Sequence, residues 1–243
     1  MRRPLFSTLV EPLLLTVCAL VIACAIAPQS RQASLPTPSL AEQSPTPDSS
    51  DAINRPTSEP YTGPLSIFED PKRDEKLQVN RVMDVLGIKE GTSVADIGAG
   101  SGWFTVRAAR RVWANATVYA VDINRDYLDY IEKRSKQESL ANIRVILGKD
   151  DDPLLPEKSV DAVLLLKTYH EVAQPIRLLK RTREAMRAGA LLGIIDRNGK
   201  GDDHGIDKDV VIKEAERAGF VLISDYDFVK SDEVDYFLVF RAK

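Results

Sequence analysis

The sequence predicts a doubly wound α/β fold, in which helices cover both faces of a mostly parallel sheet. Short apolar runs alternate with stretches of helical spacing from about residue 67 onward. A glycine-rich turn directly follows the first apolar run, and the last two runs have no helix between them, which predicts a terminal pair of strands. With 243 residues, 44% of them hydrophobic, the chain can hold one good-sized core.

Each element has its own local signal. Apolar residues recur at helical spacing before Gly87, Asn124 is suited to cap a helix, and Pro175 suits a first helical turn. The predicted helices are Asp74–Leu86, Trp103–Val112, Arg125–Ser139, Pro175–Arg187 and Lys208–Ala218. The predicted strands are Val94–Ile97, Thr117–Val121, Ile143–Leu147, Asp161–Leu166, Leu191–Ile195, Val221–Ser224 and Tyr236–Phe240. In such sheets ligands bind beyond the carboxyl ends of the strands, so the residues that follow the strands are site candidates.

The turn after the first strand carries glycine at every second position. Asp96 is followed by Gly98, Gly100 and Gly102, and glycine is needed where the backbone takes positive φ or closely approaches a ligand. The spacing Asp-x-Gly-x-Gly-x-Gly differs from the Gly-x-Gly-x-x-Gly of dinucleotide-binding domains. It resembles motif I of the class I S-adenosylmethionine-dependent methyltransferases.

Further motifs extend this resemblance from about Ile67 to the end of the chain. They are Val118-Tyr-Ala-Val-Asp122, Leu155-Pro156 before Ser159-Val-Asp161, Thr168-Tyr-His170 and Glu214-Ala-Glu-Arg-Ala-Gly-Phe220. The chain looks most like the ubiquinone/arsenite methyltransferase type, in its exported bacterial form. A departure is Arg187-Ala-Gly-Ala190, where the family usually has a Pro-Gly-Gly turn. The resemblance implies a Rossmann-like seven-stranded sheet, the cofactor S-adenosylmethionine and a small-molecule methyl acceptor.

The resemblance also implies which residues bind the cofactor. Asp122 ends the second strand, where a carboxylate can accept two hydrogen bonds from ribose hydroxyls. Asp150 and Asp151 compete for the adenine amine, because Lys149 stands where the family has an acidic residue. Asp96 either accepts N–H groups of the ligand or only holds the turn. The methionine portion would lie against Gly98, Gly100 and Gly102.

The acceptor side is less specific. His170 follows the fourth strand and is a candidate general base, although a lone histidine is more often structural. Tyr169 is a candidate to line the same pocket, and His204 to close over it. Asp196 occupies a commonly polar position of the family, and Trp103 either covers the cofactor or fills the core. No residues have zinc-ligand spacing, so no metal is predicted.

The first 27 residues are predicted to be a leader. Arg2 and Arg3 precede an apolar run, Leu13–Ala27, that is shorter than the ~20 residues of a spanning helix. Val21-Ile22-Ala23 before Cys24 resembles a bacterial lipoprotein signal box, whose cysteine is lipidated. An uncleaved anchor, an ordinary cleaved signal or a misassigned start are the alternatives. We expect a membrane-associated, exported protein, held at Cys24 or by an N-terminal anchor.

A linker, residues 28–66, is predicted before a catalytic domain at 67–243. Eight of the fourteen prolines lie between Pro28 and Pro64, without a hydrophobic period, which predicts a disordered tether. Both cysteines lie in the leader, so no disulfide is expected in the domain. The net charge of −3 gives no footprint for nucleic acid, and the sequence leaves the oligomeric state open.

Two other functions compete with methyl transfer. S-adenosylmethionine is made in the cytoplasm, so an exported domain could instead be a tethered binding module that keeps the fold without the reaction. An NAD-dependent oxidoreductase is disfavoured by the glycine spacing and by the lack of a Tyr-x-x-x-Lys pair after strand four.

Overall fold

A computed structural model of the protein describes residues 51–53, 55–58, 61–199, 205–229 and 235–243. The predicted leader, Cys24, most of the predicted linker and His204 lie outside the described residues. No helix within the described ranges is both long and apolar enough to cross a membrane.

Seven strands form one sheet at the centre of the described domain. The strands are β1 (Val94–Ile97), β2 (Val118–Asp122), β3 (Ile143–Leu147), β4 (Val160–Leu166), β5 (Met186–Arg197), β6 (Phe220–Tyr226) and β7 (Asp235–Ala242). Their order is β3-β2-β1-β4-β5-β7-β6. All pairs are parallel except those of β7, which runs antiparallel to β5 and to β6. The strand order reverses between β1 and β4, and this switch point is where such sheets bind ligands.

Helices cover both faces of the sheet, as predicted. They are α1 (Arg73–Leu77), α2 (Val79–Val85), α3 (Trp103–Val112), α4 (Arg125–Gln137), α5 (Pro175–Ala185) and α6 (Lys208–Arg217). Two separate clusters of buried apolar side chains lie on the two faces. Val94 belongs to the cluster with α2, α3 and α4, whereas its neighbour Ala95 belongs to the cluster with α5 and α6. This alternation explains why β1 is buried throughout its length.

Two predicted helices differ from the observed ones. The helix predicted over Asp74–Leu86 is broken at Gln78, whose φ of 48° is left-handed, and the break lets Leu77 and Val79 both turn inward. The Gln78 side chain is held there by donating to the Phe228 carbonyl at 3.0 Å. The helix predicted to reach Arg187 ends at Ala185, because the next residue already pairs with β4. The cap at Asn124 is confirmed, since its side chain accepts from the Asp126 N–H at 2.9 Å.

The described part of the predicted linker is attached to the domain. The Arg55 N–H donates to the Ala173 carbonyl at 3.1 Å, and Asp51 pairs with Lys180 of α5 at 2.5 Å. Residues 65–68 form a short 3-10 helix. The prediction of a disordered tether up to residue 66 is therefore corrected for residues 51–53 and 55–58, because polar contacts with the domain, which composition does not reveal, hold them.

Candidate active site

A cavity of about 820 Å³ opens at the carboxyl ends of β1, β2 and β4. Its volume lies within the range of about 300–1,000 Å³ that is usual for ligand pockets. One wall is the glycine-rich turn, one is the loop after β4, and one comes from the chain before the first helix. The sheet's switch point and the cavity thus coincide, as the rule for open α/β sheets requires.

The turn after β1 has the backbone shape that its glycines predict. Gly98 and Gly100 have φ angles of 76° and 54°, which disfavour any residue with a Cβ. A Cβ on Gly98 would lie 2.2 Å from Oγ1 of Thr168, whereas one on Gly100 would meet nothing within 4 Å. Gly98 therefore allows the turn to pack against the loop after β4, and the surface at Gly100 is left open. Gly102 precedes α3, and its φ is also positive.

Asp122 closes the turn from the end of β2. Its Oδ2 accepts from the Gly100 N–H and its Oδ1 from the Asn124 N–H, both at 2.9 Å. Burial raises the pKa of the carboxyl above its ordinary value, and the N–H groups of Asn124 and Gly100 oppose that rise. Each oxygen keeps a second lone pair, and Asp122 lines the cavity. The side chain is thus held in place and can still accept from a ligand.

Asp96 lies at the floor of the cavity. Its Oδ2 accepts from the Thr105 hydroxyl at 2.6 Å, and the residue is 2% exposed. Burial raises its pKa to about 6, although the Thr105 hydroxyl and the charge of Arg73 favour the ionised form. A buried carboxylate with a raised pKa is costly to the fold, which is typical of a group kept for function.

Arg73 was not identified from the sequence. It lines the cavity, its Cζ lies 4.5 Å from the centre of the Trp103 ring, and its Nη1 donates to the Phe68 carbonyl at 2.8 Å. Burial lowers its pKa, which the charge of Asp96 opposes. No carboxylate of the described residues lies within ion-pair distance of it. The pattern gave no signal, because Arg73 directly precedes the predicted helix and looks like a solvated charge.

Trp103 fills the core and also reaches the cavity wall. The residue is 2% exposed and belongs to the core, yet it also lines the cavity. Arg107 lies over the same ring, with its Cζ 4.0 Å from the ring centre. Trp103 therefore supports a cation at the cavity wall while filling the space beneath α3.

The structure distinguishes the two candidates for the adenine amine. Asp150 lines the cavity together with Lys149 and Pro153. Asp151 is not among the lining residues, and its Oδ2 lies 3.3 Å from Nη1 of Arg177. Of the two predicted residues, Asp150 is the one that is placed to meet a ligand.

His170 and Asp196 form a tightly held pair at the acceptor side. Nδ1 of His170 lies 2.8 Å from Oδ1 of Asp196, and the His170 N–H donates to Oδ2 at 3.0 Å. The Asp196 side chain is fully buried, and Glu171 lies 3.5 Å from Nε2. Burial alone would lower the pKa of His170, but Asp196 and Glu171 outweigh it, so the pKa is above 6.5. His170 lines the cavity, in agreement with its predicted position.

Tyr169 does not share this position, and its predicted role in the pocket is corrected. The residue is fully buried, is not among the cavity-lining residues, and donates its hydroxyl to Oε2 of Glu214 at 2.8 Å. Burial next to Glu214 raises its pKa well above 10, so it stays protonated. Neighbouring residues of the 3-10 helix Tyr169–Glu171 point in different directions, which sends His170 to the cavity and Tyr169 to the core.

The third wall of the cavity consists of aromatic side chains, of which Tyr61 lies in the predicted linker and Phe68 and Tyr127 in the predicted domain. Tyr61 and Phe68 make an edge contact with ring centres 5.9 Å apart, and Phe68 makes another with Tyr127 of α4 at 6.5 Å. The Tyr127 hydroxyl also donates to the Tyr61 carbonyl. All three rings line the cavity. The sequence did not single out these rings, because Tyr61 and Phe68 lie within or next to the Pro-rich segment and Tyr127 lies on a predicted helix.

An α/β sheet of this order, with an acidic glycine-rich turn and a second acid at the end of β2, defines a class of nucleoside-cofactor-binding enzymes. Comparisons with known proteins identify the class more closely. Residues 94–189 match a family model described as "Methyltransferase domain". Over these residues, about two fifths of the chain, the protein is similar to methyltransferase domains, and this similarity implies S-adenosylmethionine as the cofactor.

Curated relatives match over a limited region. The Probable cobalt-precorrin-6B C(15)-methyltransferase (decarboxylating) of Methanosarcina mazei is 32% identical over 99 residues, which is 41% of this chain and 52% of that protein. The (S)-coclaurine N-methyltransferase of Thalictrum flavum is 30% identical over 105 residues, which is 43% of this chain and 28% of that protein. The chain thus spans about half of the former and less of the latter.

Solved structures agree on the fold. A SAM-dependent methyltransferase from Aquifex aeolicus superposes with a TM-score of 0.66 at 24% identity, over 72% of this chain and 95% of that one. The [4+2]-cyclase SpnF superposes with a TM-score of 0.58 at 13% identity, over 69% of this chain and 80% of that one. The seven-stranded fold is therefore shown, while its reaction has to be argued from the site.

Proposed function

We propose that the protein transfers the methyl group of S-adenosylmethionine to a small molecule that enters the same cavity. The observation that carries this proposal is that one cavity joins the glycine-rich turn, Asp122 and His170. The first two suit the cofactor, and the third suits an acceptor with a proton to lose. We extend this proposal to the ubiquinone/arsenite type of methyltransferase, on the motifs of the sequence.

The residues present fit the cofactor. The turn at Gly100 leaves room for the methionine portion, and Asp122 keeps lone pairs for the ribose hydroxyls. Asp150, which lines the cavity, would accept from the adenine amine. Arg73, a half-buried guanidinium without a carboxylate partner among the described residues, would hold the methionine carboxylate, and Asp96 would accept from the ammonium.

The bound cofactor supplies an electrophilic methyl group on a sulfonium with a good leaving group. The protein's part is to bring an acceptor into line, and proximity and orientation can supply most of the acceleration. Nδ1 of His170 lies 2.8 Å from the Asp196 carboxylate, and a proton on Nδ1 would leave Nε2 as the basic nitrogen that receives the proton of a hydroxyl or ammonium acceptor. The raised pKa makes His170 a stronger base.

The proposal includes a place in the cell. On the leader predicted at residues 1–27, the domain is exported and attached to the membrane, at Cys24 or by an N-terminal anchor. The net charge of −3 agrees with a small acceptor rather than nucleic acid. The alternative, a tethered module without methyl transfer, differs in one respect that can be measured, namely turnover.

The first test is calorimetric titration of S-adenosylhomocysteine into the full-length chain and two variants. Asp122→Ala removes the carboxylate at the end of β2, and Asp129→Ala removes an exposed one on α4. We expect binding by the native chain, a loss of at least about tenfold (~1.4 kcal/mol) for Asp122→Ala, and no change for Asp129→Ala. A folded native chain that does not bind would overturn the cofactor assignment.

The second test measures transfer of the methyl group to an acceptor. Methyl-labelled S-adenosylmethionine is incubated with a panel of phenols, amines and carboxylic acids, in the presence of the native chain or His170→Ala. Label in a product, lost by a factor of about 10²–10⁴ in His170→Ala, supports a general base. Tight cofactor binding with no labelled product over a broad panel favours the tethered module.

A further inference from the structure

We infer that Arg55 is a positioning residue for the catalytic base, because it holds both ends of the turn that carries His170. The inference rests on the proposed role of His170 as a base. It assigns a function to a residue that lies outside the predicted catalytic domain, residues 67–243. No motif of the sequence points to Arg55.

The guanidinium of Arg55 makes four hydrogen bonds. Nη2 donates to both carboxylate oxygens of Glu214, each at 2.7 Å. Nη1 donates to the carbonyls of Tyr169 at 2.9 Å and of Val172 at 3.3 Å. These two carbonyls belong to the residues on either side of the pair His170–Glu171. One side chain therefore links helix α6 to both ends of the base-carrying turn.

The anchor for this link is a buried charge. Glu214 on α6 is 5% exposed, and among the described residues Arg55 is the cation that pairs with it. The Tyr169 hydroxyl donates to the same carboxylate at 2.8 Å. A folded protein is strongly destabilised when a buried carboxylate loses its partner. The contact between Arg55 and Glu214 is therefore held far more firmly than a surface ion pair.

The turn around His170 is thus fixed from two sides. Arg55 holds the carbonyls at its ends, while Asp196 holds the His170 N–H and ring. The Ser58 N–H also donates to Oε2 of Glu171 at 2.6 Å. A planar guanidinium that bonds two carbonyls and a carboxylate sets an orientation as well as a distance. Its loss would let the turn rotate and lengthen the contact between His170 and Asp196.

The test is the titration of His170 in the full-length chain. Histidine is labelled with ¹³C at Cε1, and the signal of His170 is assigned with His204→Gln. The described charged groups around His170 are Asp196, Glu171 and Lys167. Arg55→Ala removes all four hydrogen bonds, whereas Arg55→Lys keeps the positive charge but lacks the planar set of guanidinium donors. Lys180→Ala is the control and removes the separate contact with Asp51.

We expect Arg55→Ala to move the His170 pKa toward 6.5, on the order of 0.5 pH units, because Asp196 raises it through contact. Arg55→Lys is expected to give a smaller change in the same direction, and Lys180→Ala none. A mere loss of stability would leave the titration of the folded chain unchanged. An unchanged titration in Arg55→Ala overturns the inference.

If Arg55→Ala does not fold, Arg55→Lys decides, since its ammonium can still neutralise Glu214. A native titration in Arg55→Lys then overturns the inference, and a lowered pKa supports it. The experiment uses no cofactor. A failure to bind S-adenosylhomocysteine would therefore contradict the proposed function, whereas an unmoved His170 pKa would contradict only the role of Arg55.

Discussion

Asp196 contacts His170 at two points: one carboxylate oxygen lies 2.8 Å from ring Nδ1, and the other accepts from the backbone N–H at 3.0 Å. The two contacts set both the place of the residue and the direction of its ring. The carboxylate itself is fully buried at the end of β5. The orientation of the proposed base is therefore built into the sheet and does not depend on a mobile surface residue.

Asp196→Asn is expected to lower the pKa of His170 and to slow methyl transfer about tenfold or more. The base must be neutral, so the rate of the native chain rises with pH through the His170 pKa. In the variant that rise occurs at lower pH, because the charge that favoured the protonated ring is lost. The measurement is the pH dependence of kcat/KM, with the exposed Asp225→Asn as a matched control. Identical profiles for the native chain and Asp196→Asn would contradict this role.

Asp96→Asn is expected to stabilise the folded protein at pH 7 and to weaken the binding of the cofactor. The carboxyl has a higher pKa in the folded chain, about 6, than the ordinary 3.8, so the folded chain binds its proton more tightly. The contribution of Asp96 to the unfolding free energy is thus greatest below pH 3.8 and falls as the pH rises through 6, by at most about 3 kcal/mol. The amide oxygen of asparagine can still accept from Thr105.

Urea unfolding at pH 4 and pH 7 tests this expectation for Asp96. The native chain should lose stability between the two values relative to Asp96→Asn, and the two chains should differ least at pH 4. Thr105→Val, which removes the hydroxyl that favours the ionised form, should steepen the loss. A variant that is less stable than the native chain at pH 7 would show that the charge of Asp96 stabilises the fold.

Arg73→Ala is expected to weaken the binding of one of two related ligands much more than that of the other. S-adenosylhomocysteine carries the amino-acid carboxylate, and 5′-methylthioadenosine lacks it. Loss of a charge-assisted hydrogen bond of about 1.5–3 kcal/mol should weaken the first ligand about 10-fold to 100-fold and leave the second nearly unchanged. Calorimetry with both ligands measures the difference, and the exposed Arg81→Ala is the control. Equal losses for the two ligands would assign Arg73 to the structure of the pocket instead.

Shortening the chain to begin at Leu65, compared with beginning at Thr46, tests the extent of the domain. The longer form keeps Arg55, and the shorter one leaves Glu214 buried without its cation, at a cost of about 3–5 kcal/mol. Thermal unfolding should show a clearly lower Tm for the chain from Leu65, together with weaker binding of S-adenosylhomocysteine. Equal Tm values for both forms would show that residues 46–64 add nothing to the fold.

Much of the fold could be predicted from local signals. The bounds of β1, β3 and α3 agree with the prediction, because apolar runs, glycines and helical spacing act over a few residues. The break at Gln78 could not be predicted in the same way. It depends on a hydrogen bond to Phe228, 150 residues further along the chain, and on the burial of residues on both sides of it.

The site residues also differ in whether local sequence signals could predict them. Asp122 and His170 were predicted as site residues because they lie at or shortly after the ends of strands, and such positions meet at one edge of a parallel sheet. Tyr169 was placed wrongly, because the direction of a side chain in a single 3-10 turn depends on its partner Glu214. Arg55 and Arg73 went unnoticed, since a lone arginine near the Pro-rich region looks like any solvated charge. Their roles exist only in the folded chain.

The bond between Arg55 and Glu214 spans 159 residues of chain, which has a consequence for synthesis. Closing so long a loop costs entropy and is favoured only after the intervening sheet has formed. During translation the glycine-rich turn and β4 emerge well before α6. The nascent chain therefore has the part of the cavity proposed for the cofactor before the turn that carries His170 is held in place. We expect enzymatic competence to be acquired only after α6 has left the ribosome.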